Sequence, residues 1–284
     1  MFETSSSRNA PARSFFVAVP VLNEAPNLER LMAAFRDLVA EFGADYAMVF
    51  LLIDDGSTDG TAEIAKELAG GLDLRVLRHE RNMGPGRAFA TAFEYLASRV
   101  SPDDWVATME GDNTSRHQLI GRMLVRSHEG YDVMLASPYQ YGGGVENTSG
   151  LRVLLSHVAN GFLKSFIGLH GFLTMSSFFR LHSGDTILRL QACYGPAIIE
   201  RPGFDGVVEM LIKMVLLRMR ITELPMVLDT SRRLGKSKMK IARTIRSYLT
   251  LAFARQRWVA QAGAFMADEV QTASVKVKAA QLNG

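Results

Sequence analysis

Glu110 and Asp112 stand on either side of Gly111, directly after the apolar run "WVATM". Two hard oxygen ligands at that spacing, with few other protein ligands nearby, suit Mg2+ or Mn2+ held jointly with a diphosphate. A polar turn would use the same residues, so the spacing alone leaves both readings open. Zinc does not fit, because His79, His117, His128, His157, His170, His182 and the single Cys193 form no cluster at ligand spacing.

A second acidic pair opens "IDDGSTDGT", Ile53 to Thr61. Gly56 and Gly60 suit a turn there, and Asp59 or Thr61 suits a helix cap. Turn chemistry does not require Asp54 beside Asp55, whose mutual repulsion is tolerated more readily where a nucleoside donor or a cation shares the site. "RRLGKSK", Arg232 to Lys238, places four cations around Gly235. Arg meets phosphate through forked hydrogen bonds and Lys as a point charge, and Gly235 and Ser237 let backbone approach an anion. "NMGPGRAFA" looks like a dinucleotide fingerprint through Gly84 and Gly86, but it follows a third strand rather than the first, and a lone GxG is weak. No Ser/His/Asp or Cys/His triad is evident.

The elements that must carry these residues alternate. "SFFVAVPVL" (Ser14 to Leu22) reads as a strand buried on both faces. Leu28, Leu31, Met32, Phe35, Leu38, Val39 and Phe42 then fall at helical spacing. Strand "MVFLLID", a helix from about Thr61, strand "LRVLRH", a helix from about Gly86 and strand "WVATME" follow. This pattern predicts an α/β fold with a mainly parallel central sheet flanked by helices, whose ligands bind beyond the carboxyl ends of the strands. Those ends carry Pro20, Asn23 and Glu24, then Asp54 and Asp55, then Glu110 and Asp112. Past Tyr131 the pattern loosens into a loop, "ASPYQYGGGVENTSG", and a Phe-rich helical stretch from Arg152 to about Gly168. A helix in "GFDGVVEMLIKMVLLRMR", a strand "ITELPMVLD" and a basic loop turning into a helix complete the chain, with Ile241, Ile245, Tyr248, Leu249 and Ala252 on one helix face.

The 284 residues are 48% hydrophobic and 21% charged, which supports a full globular core and excludes wholesale disorder. The organisation expected is a disordered N-terminus over 1–13, a catalytic domain over 14–238, and a C-terminal amphipathic helix and tail over 239–284. The N-terminus lacks the apolar stretch of a secretory signal, which with one cysteine points to the reducing cytoplasm. The longest uncharged apolar stretch, Ser165 to Phe179, has 15 residues, short of the roughly 18 to 20 that span a bilayer. Net charge is only +3, yet Thr230 to Trp258 holds nine basic residues and no acidic one. Such a block is either a solvated face or a surface for an anion: phosphate, lipid or nucleic acid.

Taken in order, VPxxNE, DDGSTDGT, NxGxGxA, an acidic xGD, GGGxEN, VEM and RxxGxSK resemble family-2 glycosyltransferases of the GT-A fold. Within them the chain is most similar to the dolichol-phosphate (polyprenyl-phosphate) mannosyltransferase group. The match runs in register from about Phe15 to Lys238, nearly 80% of the chain. The resemblance implies that Pro20, Asn23, Glu24 and Asp55, with Asp54 and Gly84 beside them, hold the base and ribose of a nucleotide sugar. Glu110 and Asp112 take the place of the DxD carboxylates for the cation, Mg2+ or Mn2+. Arg152, Arg180, Arg233, Ser237 and Lys238 fall on the phosphate and acceptor side, and Asp112, Arg152, Glu209 and Arg233 are the residues expected to serve the reaction. Three stretches differ from the group: Glu110-Gly111-Asp112 for DAD, Ser137-Pro138-Tyr139 for Ser-Arg-Tyr, and "TMSSFFR" (Thr174 to Arg180) for DxTSGFR. They surround the acceptor and the sugar.

The implied reaction is inverting transfer of a sugar from a GDP- or UDP-sugar to a polyprenyl phosphate. An ionised phosphate acceptor needs no general base. The partners implied are the donor, the lipid acceptor and an anionic membrane surface, with no nucleic acid, and the chain is expected to attach peripherally to the cytoplasmic face through its basic helix. Two alternatives remain: transfer to a saccharide, protein or small-molecule hydroxyl, with Glu209 or Asp205 as base, and a nucleotide-sugar-binding protein without turnover.

Overall fold

The structure, a computed structural model, describes residues 13–148, 150, 161, 164–165, 169–232 and 241–282. Strand β1 (Arg13–Val21) sends Phe15, Val17 and Val19 into one core and Phe16 and Ala18 into another, which is why its sequence is apolar without interruption. Helix α1 (Leu28–Phe42) buries Leu28, Leu31, Met32, Phe35 and Leu38, as its spacing predicts. The expected alternation continues through β2 (Tyr46–Asp54), α2 (Thr61–Leu68), β3 (Leu74–Arg78), α3 (Pro85–Ala97) and β4 (Trp105–Thr108).

Beyond β4 the structure is more regular than the sequence pattern suggests. Helix α4 (Leu119–His128), strand β5 (Val133–Ser137), strand β6 (Gly144–Glu146), strand β7 (Arg180–Ser183) and helix α5 (Gly184–Tyr194) occupy it. The segment expected as one loop after Tyr131 thus contains β5, buried at every residue, and the short β6. Helix α6 (Asp205–Leu216) forms as expected. "ITELPMVLD" divides into β8 (Ile221–Pro225) and β9 (Val227–Asp229), which belong to different sheets. The long helix α7 (Ile241–Leu282) closes the chain.

The main sheet has the order β3-β2-β1-β4-β7-β5-β8, parallel throughout except for β7. Helices α1, α2 and α4 cover one face, and α3, α5, α6 and part of α7 cover the other. This is the α/β, GT-A arrangement expected. A parallel pair of β6 and β9 forms a small second sheet beyond the ends of β5 and β8.

The middle of α7 is packed on protein: Leu251, Trp258 and Ala262 are buried in the core that includes α5 and α6. Ala252, expected on the apolar face, is half-buried, while the side chains of Ile241, Ile245, Tyr248 and Leu249 lie outside the described residues. So do residues 1–12, Phe162, Phe166 and the greater part of the Phe-rich stretch. Phe179 is fully buried, and Phe172 and Phe178 pack partly buried against the core.

Candidate active site

Because the six strands other than β7 run in parallel, their carboxyl ends share one edge of the sheet. The antiparallel β7 begins at that edge, with Arg180 in register opposite Thr108 of β4 and Leu135 of β5. The topology therefore collects Asp54, Asp55, Glu110, Asp112, Ser137 and Arg180 on the side where such sheets bind ligands.

At the end of β2, Asp54 is fully buried and its Oδ1 accepts the Ser57 N–H at 2.8 Å. Its Oδ2 faces Arg78 Nε at 3.3 Å, an ion pair without hydrogen-bond alignment. Asp55 accepts from the N–H groups of Met83 and Gly84, both at 2.8 Å, and Oδ1 also contacts His79 Nδ1 at 2.8 Å. His79 Nε2 lies 2.9 Å from Thr91 Oγ1, so the ring bridges β3's end to α3. Gly56 turns here at φ +77°, and a Cβ on it would lie 2.4 Å from the Arg81 carbonyl carbon.

The loop after β1 is knitted to the same turn. Asn23 adopts φ 49°, its Oδ1 accepts Thr58 N–H at 2.8 Å, and its own N–H donates to Ser57 Oγ at 2.9 Å. Glu24 donates its N–H to Thr61 Oγ1 at 2.9 Å, and its carboxylate accepts from Asn27 at 2.5 Å. Pro20 sits in register with Ile53. The turn after β2 and the end of β3 wall a cleft of about 630 Å³, lined by Gly56, Ser57, Thr58, Arg78, His79 and Glu80; the loop after β1 meets this turn through Ser57 and Thr58. The expected nucleotide residues are thus brought together, although Asp54 and Asp55 act chiefly by shaping the wall. His79 was not singled out by the sequence, since an isolated histidine carries no signal until its partners are known. A smaller cleft of about 250 Å³ lies between Arg87 and the 196–202 loop.

Glu110 and Asp112 follow β4. Glu110 Oε2 accepts from Ser115 Oγ at 2.6 Å, and Asp112 Oδ1 accepts from Thr114 Oγ1 at 2.7 Å and Thr114 N at 3.1 Å. Gly111 is not among the residues at positive φ; its smallness is what matters, because a Cβ would lie 2.7 Å from Val21 Cγ1 and 3.1 Å from the Pro20 carbonyl oxygen. Burial pushes the Glu110 carboxyl above the usual glutamate range and the Asp112 charge adds to this, against the Ser115 hydroxyl. Two carboxylates side by side suit a divalent cation, whose charge offsets their repulsion. Among the described residues no group of three His, Cys, Asp or Glu forms a complete cage. The pair therefore fits an ion whose remaining ligands come from a bound diphosphate and water.

Arg180 is buried, and its donors meet backbone oxygens: Nε to Ser177 at 2.9 Å, Nη1 to Val207 at 3.0 Å, and Nη2 to Met175 at 2.7 Å. Burial lowers its pKa to about 9, opposed by the Glu110 charge. Expected on the phosphate side, Arg180 instead braces the TMSSFFR segment against α6 beneath Glu110. That segment is held further by Ser137 Oγ to Thr174 Oγ1 at 2.6 Å, by Thr108 Oγ1 to the Phe178 oxygen at 2.6 Å, and by Phe178 stacked on Phe204 at 5.4 Å.

Glu209, expected to serve the reaction, is fully buried in α6. Its carboxylate meets Lys213 Nζ at 2.5 Å and accepts the N–H groups of Glu200 at 3.0 Å and Arg201 at 2.8 Å. Burial raises its pKa, against Lys213. Such a carboxylate holds the backbone of the Glu200–Arg201 segment. Asp205 is also buried and likewise pushed up by burial, with Arg201 and the Ser247 hydroxyl opposing.

Asn147, from GGGxEN, donates to Asp229 Oδ1 at 2.8 Å, and Thr230 Oγ1 donates to the Asn147 oxygen at 2.5 Å. Arg30 Nη1 then holds the Arg232 oxygen at 2.9 Å, fixing where RRLGKSK departs. Arg152, Arg233, Ser237 and Lys238 lie outside the described residues.

Residues 16–182 match the glycosyl transferase family 2 domain. Polyprenol monophosphomannose synthase of Mycolicibacterium smegmatis is 24% identical over 81% of this chain and 82% of its own length. Dolichol-phosphate mannosyltransferase of Pyrococcus furiosus is 27% identical over 85% of this chain, which spans 63% of that longer protein. The solved structure of glucosyl-3-phosphoglycerate synthase from Mycobacterium tuberculosis, in complex with Mn2+, UDP-glucose and phosphoglyceric acid, shares the fold with a TM-score of 0.61 at 18% identity, covering 86% of this chain and 80% of that one. The domain match over more than half of the chain agrees with the sheet order and the strand-edge site, and the chain belongs to glycosyl transferase family 2.

Proposed function

We propose that this glycosyltransferase moves a sugar from a nucleoside diphosphate to a polyprenyl phosphate at a membrane surface, inverting the anomeric carbon. The observation that carries the reading is the placement of the Glu110–Asp112 pair on the same strand edge as the 630 Å³ cleft, with the basic loop leaving from Arg232. The cleft takes the nucleoside, and Asn23, Asp54 and Asp55 brace its lining residues Ser57, Thr58 and His79, with Glu24 and Gly84 in the adjoining loops. Glu110 and Asp112 hold Mg2+ or Mn2+ against the diphosphate, and when bound the ion supplies positive charge that stabilises the leaving group. Arg152, Arg233, Ser237 and Lys238 belong to the same task by their place in the sequence, as anion ligands for donor and acceptor phosphates.

An oxygen of the acceptor phosphate forms the new bond to the anomeric carbon as the bond to the diphosphate oxygen breaks, and the diphosphate departs with the electron pair. A phosphate monoester with a second pKa of about 6 is already largely ionised at neutral pH, so no proton need be removed. The engagement of Glu209 by Lys213 and two backbone N–H groups is compatible with a reaction that lacks a base. The sequence relatives named for polyprenol and dolichol phosphate support this acceptor class. Among the described residues no helix is long and apolar enough to cross a membrane, and the basic residues of 230–258 supply a peripheral mode of attachment.

The structural relative bound to UDP-glucose and phosphoglyceric acid favours a second reading, transfer to a hydroxyl of a small acceptor. Purified protein supplied with a panel of nucleotide sugars, with and without polyprenyl phosphate, separates the two. Product that requires the lipid supports the first reading; product formed only on small hydroxyl acceptors overturns it.

A further inference from the structure

Lys213 is fully buried, and its Nζ lies 2.5 Å from Glu209, 2.5 Å from the Ala197 oxygen and 3.2 Å from the Ile198 oxygen. The Tyr194 and Trp258 rings flank it at 4.9 and 4.8 Å. Trp258, from α7, is itself fully buried, and its Nε1–H donates to Glu200 Oε2 at 2.9 Å. The same oxygen pairs with Arg257 and lies 3.8 Å from Lys213. One buried cation thus joins α6, the 197–201 loop and α7. Buried ion pairs are poor sources of net stability and are best attested as devices that fix a single packing register.

The loop held there reaches the donor cleft. Glu209 accepts the N–H groups of Glu200 and Arg201, and the next carbonyl, that of Pro202, accepts from Gly86 at 2.8 Å and Arg87 at 3.3 Å. No side chain would fit between: a Cβ on Gly84 would lie 2.4 Å from the Pro202 oxygen, and one on Gly86 2.1 Å from the Arg201 oxygen. Gly84 in turn donates to Asp55, which holds His79 in the wall of the cleft. Each link is a direct contact between groups that are buried or at close approach.

We propose that Glu200, Glu209, Lys213 and Trp258 are positioning residues through which docking of α7 sets the 83–87 loop and thereby the donor cleft. The residues act on the loop whatever the ligand; the consequence for nucleotide affinity rests on the reading of the cleft as the donor site. A helix that also meets a membrane would, by seating or loosening Trp258, change how well the cleft holds its donor. Coupling of this kind is carried by a packed element whose seating both sites bias, and Trp258 is the point where α7 meets the buried Lys213–Glu209 pair.

Two variants test this. Glu209→Gln removes the charge facing Lys213 and risks the fold, while Trp258→Phe keeps an aromatic ring, removes the N–H to Glu200 and trims the ring packed on Lys213. Hydrogen exchange is measured without ligand, and UDP and GDP are titrated in the presence of Mn2+. In Trp258→Phe the Gly86 and Arg87 amides should exchange on the order of tenfold faster while β1 and β2 amides keep their rates. The affinity for whichever nucleotide the wild type binds should fall several-fold, and the donor KM should rise more than kcat falls. Unchanged exchange over 83–87, or acceleration only in step with the whole molecule, overturns the proposal. Faster local exchange in a protein whose wild type binds neither nucleotide would uphold the coupling and refute the donor assignment instead.

Discussion

Gly111 packs against the end of β1 so closely that a Cβ on it would stand 2.7 Å from Val21 Cγ1. The glycine between the two carboxylates is therefore a matter of space, not of a left-handed turn, since it lacks a positive φ. It lets the Glu110–Asp112 segment lie directly on the end of the strand that carries Pro20 and Val21.

Gly111→Ala must force β1 and the acidic segment apart. Overpacking of this kind costs about 1–3 kcal/mol. Transfer activity should fall further than stability does, because both carboxylates move with the segment. Thermal unfolding and kcat measured side by side check this; an alanine variant with wild-type kcat would show that the segment yields harmlessly.

Asp55→Asn replaces an acceptor of two backbone N–H groups and of His79 by a group with one oxygen. Leaving a buried donor unsatisfied costs about 1–3 kcal/mol. The donor KM should rise several-fold with a smaller change in the KM for the acceptor, as initial-rate kinetics over both substrates would reveal.

His182 is buried, with Nδ1 against the Val106 oxygen at 3.1 Å, Nε2 without a partner and the Phe93 ring at 5.9 Å. Burial, with the Arg180 charge adding and the Val106 carbonyl opposing, lowers its pKa from 6.5 to about 3. The unfolded chain binds this proton first as pH falls, so the associated stability is complete above pH 6.5 and is lost between 6.5 and about 3. The slope from one such group reaches at most ~1.4 kcal/mol per pH unit. Denaturant unfolding at several pH values should show this slope, and His182→Phe should flatten it; an identical slope in the variant would assign the acid sensitivity elsewhere.

Phe253 projects from α7 with 83% of its surface exposed, within the segment that carries the basic residues. Phe253→Ser should leave the melting temperature unchanged and weaken binding to vesicles containing anionic lipid. Binding by the wild type should fall as salt rises through about 0.15 M, where charges are screened beyond ~8 Å. Sedimentation with vesicles of increasing anionic content measures both effects.

Much of the acidic strand edge was legible from sequence. β1, β2 and β4 are apolar runs that end abruptly on Asn23, Asp54 and Glu110, and a parallel sheet places such ends together. The middle of the chain was not legible. β5 is only "VMLAS", too short for periodicity to act, and β7 is "RLHS", whose polar letters conceal four buried residues. Helix α5 did carry a signal, because Ser183 caps it by accepting the Thr186 N–H at 3.2 Å. Glu209 and Arg180 were marked out by the family resemblance, through VEM and TMSSFFR, and a motif match does not show that their partners are backbone groups.

Asp112→Ala is the most direct test of the account, assayed for sugar transfer to polyprenyl phosphate with Mn2+ or Mg2+ and with a chelator, alongside circular dichroism. The account predicts that wild-type transfer requires the divalent ion, and that the variant loses transfer by on the order of 10²–10³-fold or more while keeping its fold. A variant that transfers sugar at the wild-type rate, or a wild type indifferent to the chelator, would contradict it.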